Sequence, residues 1–239
     1  MKYKFLCPDL SDKRIKYAKK YLEKIGYESV TEVENADFVL LGVNPDKALL
    51  NFTLPIYAGN IFGDNIYDYT QNEDFAIKNA YLTAEGAIAL AVSSSEKSLF
   101  DSSVLLVGYG RISRALHKLL SCYTNKITVC ARSQNQLTLA QCNGADTINF
   151  EQLCKKNKYD FIINTVAHPV FNEQELLFVD KDTLIMDLAS FPGGVDKHFA
   201  KSYNLNLMIA RGLPAKFSPY NAGIVVAQTV DAMIKRGIA

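Results

Sequence analysis

A chain of 239 residues is long enough for one large or two modest domains, each able to bury a core, and two are expected here. Its 26 Lys plus Arg balance 25 Asp plus Glu, which removes the electrostatic case for nucleic acid or a membrane surface and favours small-molecule chemistry. "MKYKFLCPDLSDKR" does not read as a signal peptide and no apolar run approaches the roughly 20 residues of a spanning helix, so a cytoplasmic protein is expected.

In chain order, Tyr3 to Cys7 reads as a strand. Ile15, Ala18, Leu22 and Ile25 then mark one face of a helix that Ser11 or Asp12 can cap and Gly26 can stop. The apolar runs "ADFVLLG" and "LPIYAG" add two strands, and strands alternating with helices argue for a parallel sheet. Between Gly59 and Asn72 the residues Asn, Asp, Gly and Tyr predict an exposed loop. Tyr57, Tyr67 and Tyr69 either pave a pocket or, the favoured reading, pack as ordinary surface residues. A helical period runs from Glu73 to Ser93 through Ile77, Ala80, Ala84, Ala87, Ile88 and Ala91, and a polar connector follows. This helix is expected to link the domains, and it carries Thr83 and Glu85. Glu85 serves either a site in the domain cleft or only solvent and capping.

The stretch from Ser102 to Leu120, "SSVLLVGYGRISRALHKLL", carries the most chemistry. Val104 to Val107 reads as a buried strand, and it ends directly in Gly108, Tyr109 and Gly110. Ile112, Ala115, Leu116, Leu119 and Leu120 then recur at helical spacing. Gly108 permits a sharp turn and Gly110 lets a pyrophosphate approach the main chain. The helix opening at Arg111 and Ile112 offers N–H groups and a positive dipole end to an anion. In the G-x-G-x-x-G/A fingerprint the third small position is taken by Ser113. Placed between a strand and an amphipathic helix, the pattern predicts dinucleotide binding. The alternative is a tight strand-to-helix turn in another α/β protein.

Ile127 to Ala131 predicts the second strand of this unit. An NAD site usually has a carboxylate at that strand's end for the ribose 2′-hydroxyl. The chain has Ala131, Arg132 and Ser133 instead, a guanidinium and a hydroxyl able to bind a 2′-phosphate. NADP is therefore expected over NAD, the alternative for Arg132 being a solvated loop tip. A strand over Thr147 to Phe150 and a helix over Glu151 to Lys156 come next. "YDFIINTV" ends in Asn164, Thr165 and Val166, where ligands of an open parallel sheet collect. His168 follows in a loop, then a weak helix near Glu173 to Phe178. "TLIMDLAS" is a strand whose Asp187, if buried, must have partners, with backbone donors expected. After "FPGG" come a helix from Val195 and the strand "LNLMIA". "RGLPAKFSPYNAG" reads as a loop, with Ser218 and Pro219 as N-cap and first residue of a last helix. The odd number of cysteines, Cys7, Cys122, Cys130, Cys142 and Cys154, without C-x-x-C spacing, predicts reduced thiols. His117, His168 and His198 show no metal-ligand pairing, and no metal is expected.

Read together, "TAEG", "GYGRIS", "ARS", "IINTV", "DLASFPGG" and "GLPAKFSP" with the "AG" after it resemble the dipicolinate synthase A-subunit family, in order and spacing from about Asn79 to the C-terminus. The chain departs from that pattern at Ser113, Ala167 and Ala215, where the family shows Gly, Pro and Gly, and its N-terminal part matches poorly. The resemblance implies a doubly wound α/β fold. A Rossmann domain, 96–217, would be accompanied by a smaller flavodoxin-like domain, 1–95, that the helix 218–239 joins. It also implies similarity to formate and glycerate dehydrogenases, and oxidation of a dihydrodipicolinate-type heterocycle to dipicolinate for sporulation. A separate flavoprotein-like protein, the synthase's B-subunit, is the implied partner, and a homo-oligomer is expected.

The cofactor contacts are then assigned to Gly108, Tyr109, Gly110, Arg111, Ile112, Ala131, Arg132, Ser133, Asn164, Thr165, Val166, Leu188, Ala189 and Gly212. A dicarboxylate substrate calls for Lys216, the amides at Ser218 to Tyr220 where Pro219 opens the last helix, and the Thr83 hydroxyl. Glu85 would take the released proton. For Lys216 a mobile loop lysine is the competing reading. Two other functions stay open: another NADP dehydrogenase of a small carboxylate, and a nucleotide-binding scaffold without chemistry.

Overall fold

Strands that are apolar at every position need cover on both faces, and this dictates parallel pairing with helical crossovers. All the paired strands in the computed structural model, which describes residues 3–154 and 158–237, are parallel. The chain divides into two compact units, Met1–Leu82 with Pro214–Ala239, and Thr83–Leu213.

The first unit contains β1 (Lys4–Leu6), α1 (Lys13–Lys24), β2 (Glu28–Val30), β3 (Phe38–Val43), β4 (Ile56–Gly59) and β5 (Ile66–Asp68). Their order is β2-β1-β3-β4-β5, the flavodoxin-like winding. Asp12, rather than Ser11, caps α1 by accepting from the Arg14 N–H at 2.9 Å. The helix α2 (Glu73–Ser94) contributes to both units, and α7 (Leu213–Phe217) and α8 (Pro219–Lys235) close the chain. Val226, Ala227, Val230, Met233 and Ile234 of α8 share a core with Phe5, Ile15, Ala18, Leu22 and Phe38. Tyr27 donates its hydroxyl proton to Asp231 at 2.9 Å across the same contact.

Several sequence expectations change in the structure. The stretch between Gly59 and Asn72 is not wholly an exposed loop, because β5 pairs with β4 inside it. Tyr57 and Tyr69 are core residues. Tyr69 is fully buried with its hydroxyl donating to the Leu41 carbonyl, and the Tyr57 ring stacks on Tyr67 at 5.3 Å. The loop expected from Arg211 onward winds into α7.

The second unit contains β6 (Val104–Val107), α3 (Arg111–Leu120), β7 (Ile127–Cys130), α4 (Gln134–Cys142), β8 (Asp146–Ile148), β9 (Phe161–Asn164), α5 (Glu173–Leu176), β10 (Leu184–Asp187), α6 (Lys197–Ser202) and β11 (Asn206–Ile209). The order β11-β10-β9-β6-β7-β8 is the doubly wound Rossmann order, with its switch point between β6 and β9. Register aligns Val107 with Cys130 and Asn164, and Asp187 with Asn164 and Ile209. The loops after these strands therefore gather at one edge. In place of the helix expected over 151–156 there is one 3₁₀ turn, Phe150–Gln152, closed by a reciprocal cap between Asn149 and Gln152. Residues 155 and 156 of that expectation, and 1, 2, 238 and 239 of the expected N-terminal domain, lie outside the described residues.

At the opposite edge Asp160 pins β9 to β6. It accepts from Ser103 N at 2.9 Å, Ser103 Oγ at 2.8 Å and Lys97 Nζ at 2.9 Å. Burial pushes its carboxyl up, but the Lys97 bond and the two Ser103 bonds outweigh that and hold it at about 2. A depressed folded-state value stabilises above the unfolded value and fades as pH falls through the folded one. Asp160→Asn should therefore cost about 1–2 kcal/mol at pH 7. In thermal melts the difference from the wild-type protein should shrink between pH 4 and pH 2, and a pH-independent difference would contradict the assignment.

Candidate functional site

The turn after β6 is shaped by crowding. Gly108 has φ +86°, and a Cβ there would lie 2.8 Å from both Thr165 Oγ1 and Val166 Cγ2. Any other residue would have to displace those two side chains and adopt a backbone conformation that favours glycine. Thr165 is held in that position by donating to the Val107 carbonyl at 2.9 Å. Gly110 is the N-cap of α3 and offers no capping side chain, and a Cβ built on it would meet nothing within 4 Å. No side chain of Gly110 therefore caps the N–H groups at the start of α3, and the space on the Gly110 side of that start is open. Arg111 is exposed and Ile112 half-buried at this mouth.

Ser113 is fully buried, as a small residue packing helix on strand must be. Among the described residues its hydroxyl is the one buried side-chain oxygen without a hydrogen-bond partner. The Tyr109 side chain turns inward. The ring is buried, its hydroxyl lies 2.7 Å from His117 Nδ1, and it accepts from Asn143 Nδ2 at 3.1 Å. With Asn143 donating to the phenol oxygen, the phenol proton goes to His117, so the imidazole carries its own proton on Nε2. Burial also pushes the His117 value down, which keeps the ring neutral. Only the main chain of Tyr109 is left to face a ligand.

The Asn164 side chain also turns inward. It is fully buried at the end of β9, and its amide is consumed internally. Nδ2 donates to Asp187 Oδ1 at 2.8 Å and to the Val166 carbonyl at 3.0 Å, while Oδ1 accepts from Val166 N at 3.1 Å. Asp187, also fully buried, accepts from Ala189 N at 3.2 Å and Gly194 N at 3.0 Å besides Asn164. Three donors compensate the buried carboxylate, backbone N–H among them as its place in an apolar strand required. The two side chains fix the 164–166 and 187–194 loops instead of meeting a ligand.

Leu188 and Ala189 are buried, with the Ala189 carbonyl accepting from Arg211 Nε at 2.9 Å. Gly212 has φ +67° and open space at its Cβ position. Ala131 is buried at the end of β7, while Arg132 and Ser133 are exposed at the start of α4, where Ser133 is an N-cap whose hydroxyl makes no cap bond. No hydrogen bond or ion pair among the described residues engages Arg132. The structure thus gathers Gly108, Gly110, Arg111, Ile112, Thr165, Val166, Ala131, Arg132, Ser133, Leu188 and Ala189 at one edge of one sheet.

Thr83 is buried and Glu85 exposed on α2, and two residues of helix turn their side chains about 200° apart. They do not share a face. Lys216, Ser218 and Pro219 belong to the other unit. Lys216 is exposed on α7, and Ser218 and Pro219 hold the N-cap and first position of α8. His168 is exposed, with Nδ1 3.2 Å from the Pro169 carbonyl. Among the described residues no group of His, Cys, Asp or Glu could hold a metal ion. Burial pushes the Cys7 and Cys130 thiols up to about 12, which leaves them protonated and inert. Arg211 and Phe191 border the gathered loops and were not singled out from sequence. An arginine directly after an apolar strand was the available signal.

Tyr109→Phe removes the hydroxyl shared by His117 and Asn143. It should lower stability in denaturant unfolding by about 1–3 kcal/mol, yet leave dinucleotide affinity within about twofold. A large loss of affinity without loss of stability would return the phenol to the ligand.

No protein-family model matches the chain. Over 165 residues it is 30% identical to the A-subunit of dipicolinate synthase from Bacillus subtilis, a match that covers 69% of this chain and 56% of that relative. The structure of the dipicolinate synthase A-subunit from Bacillus halodurans superposes with TM-score 0.85 at 21% identity, over 98% of this chain and 97% of that one. The transhydrogenase from Sinorhizobium meliloti superposes with TM-score 0.75 at 12% identity, over 98% and 94%. These likenesses in fold agree with the strand orders above. In sequence and in fold together, the chain is a homologue of the dipicolinate synthase A-subunit.

Proposed function

We propose that the chain is an NADP-dependent oxidoreductase that dehydrogenates a dihydrodipicolinate-type ring to the pyridine dicarboxylate, as the designation of its relatives suggests. The observation that supports this most is the uncapped mouth of α3, where Gly110 leaves open space beside main-chain N–H groups at the switch point of a doubly wound sheet. A bound nicotinamide dinucleotide would supply the hydride acceptor.

The chain's own residues bind and orient. The N–H groups of Arg111 to Ser113 take the diphosphate, and Thr165 and Val166 form the wall that Gly108 makes possible. Arg132 and Ser133 take the 2′-phosphate, which an unpaired guanidinium beside a helix start favours over a bare hydroxyl. Leu188, Ala189 and Gly212 line the far half of the same edge. Lys216, the Tyr220 N–H and the Thr83 hydroxyl are the proposed carboxylate contacts, since Pro219 has no N–H and that of Ser218 is given to the Pro214 carbonyl. Glu85 is the proposed proton acceptor. A second protein, implied by the relatives' designation as A-subunits, completes the reading, with self-association and a cytoplasmic setting. No helix among the described residues is long and apolar enough to cross a membrane.

Fluorescence titration of the purified protein with NADPH and NADH tests the first part. Arg132→Asp should weaken NADPH by about 10- to 100-fold, the worth of a charge-assisted bond, and NADH by less than about threefold. Equal losses would remove the preference for NADP. Adding dihydrodipicolinate with NADP, with and without the partner protein, should produce dipicolinate absorbance in at least one condition. Its absence from both would overturn the proposed reaction while leaving any dinucleotide binding intact.

A further inference from the structure

The 188–194 turn is fastened from several sides. Gly194 N donates to Asp187 Oδ2 at 3.0 Å and Gly193 N to the Ser190 carbonyl at 2.8 Å. Arg211 donates Nε to the Ala189 carbonyl at 2.9 Å and Nη2 to the Pro192 carbonyl at 3.1 Å. These last two bonds occupy one edge of the guanidinium, the edge shared by Nε and Nη2. The other edge, formed by Nη1 and the second proton of Nη2, makes no hydrogen bond among the described residues, and no carboxylate among them lies within ion-pair distance of it. The nearby Asp187 is spent on Asn164, Ala189 and Gly194.

The half-buried cation is therefore held in place, forms no direct ion pair among the described residues although Asp187 lies nearby, and presents two parallel donors, the geometry that accepts a carboxylate bidentately. Beside it, on the turn it braces, Phe191 is 85% exposed. Gly212, next in sequence, has nothing within 4 Å of a built Cβ. A large ring held in water on a fastened turn, one residue from a carbonyl the guanidinium clasps, offers an apolar face next to a fixed positive charge. That pairing suits a flat aromatic carboxylate.

We propose that Arg211 is the residue that receives a carboxylate of the substrate, with Phe191 as the face on which the substrate ring lies. This rests on the dehydrogenase reading above and adds to it a recognition element within the second unit. Arg211 replaces Lys216 as the main anchor, since Lys216 is an exposed side chain on α7 with no bond that fixes its direction.

Calorimetric titration with pyridine-2,6-dicarboxylate, with and without saturating NADPH, provides the test. Arg211→Gln should weaken the diacid by about 10- to 100-fold and Arg211→Lys by about tenfold, with NADPH affinity within about twofold. Phe191→Ala should weaken the aromatic diacid several-fold but leave cis-cyclohexane-1,3-dicarboxylate unchanged. Because Arg211 also braces the turn, the wild-type protein gives an independent readout. Phenylglyoxal labelling followed by mass spectrometry should show Arg211 protected by the diacid and not by NADPH alone. If the wild-type protein binds the diacid, but the Arg211 variants bind it equally well or Arg211 is not protected, this proposal is overturned and the dehydrogenase reading stands. If the wild-type protein binds NADPH but no diacid, the substrate reading itself fails, and the Arg211 anchor with it.

Discussion

The second unit depends on a place where no side chain fits. The end of β6 runs so close to the end of β9 that a Cβ on Gly108 would overlap Thr165 and Val166, and the backbone there has φ +86°. This close approach lets the chain leave β6, turn at once and start α3 with its N–H groups facing out of the sheet edge. A bulkier residue would have to displace the Thr165 and Val166 side chains at the switch point, the site where a doubly wound sheet opens to a ligand. Gly110 acts by absence in a different sense, since its position is open and its missing side chain leaves the helix mouth uncapped.

Around this turn the polar side chains divide into those that build and those left to bind. Asn164, Asp187 and Tyr109 are buried and bonded to named partners, so the side chain of each secures a loop or helix. Arg132 and the outer edge of Arg211 keep donors that no described residue uses. The proposed recognition of a dinucleotide therefore rests on an unpartnered cation beside an open main-chain mouth rather than on the buried polar groups, which would have to break existing bonds to take part.

Much of this was legible in the sequence. The strand, glycine turn and helix from Val104 to Leu120 stand as expected, because β-branched burial and 3.6-residue spacing are local signals. The need of Asp187 for backbone partners followed from a carboxylate in an apolar strand. What was not legible depended on direction. Tyr109 sits inside the glycine fingerprint, yet its ring turns under α3 and α4 to His117, eight residues on in the chain. Asn164 sits at the correct strand end, but its amide is claimed by Asp187 on the neighbouring strand, a tertiary pairing with no sequence signature. β5 is three residues long and β2 likewise, too short for alternation to show. Arg211 looked like part of a glycine and proline loop, and only the carbonyls of Ala189 and Pro192 reveal that it is fixed.

The central claim is that the first turn of α3 holds a diphosphate through its main chain. Gly110→Asp tests it most directly, because φ −82° and the open space at its Cβ position accept a side chain without strain. An aspartate at an N-cap should stabilise the protein slightly in thermal unfolding, by about 0.5–1 kcal/mol. The same carboxylate would occupy the donors and repel the phosphates, so NADPH titration should show affinity falling by about 100-fold or more. A variant that is as stable as the parent or more so, and that still binds NADPH as tightly, would contradict the account.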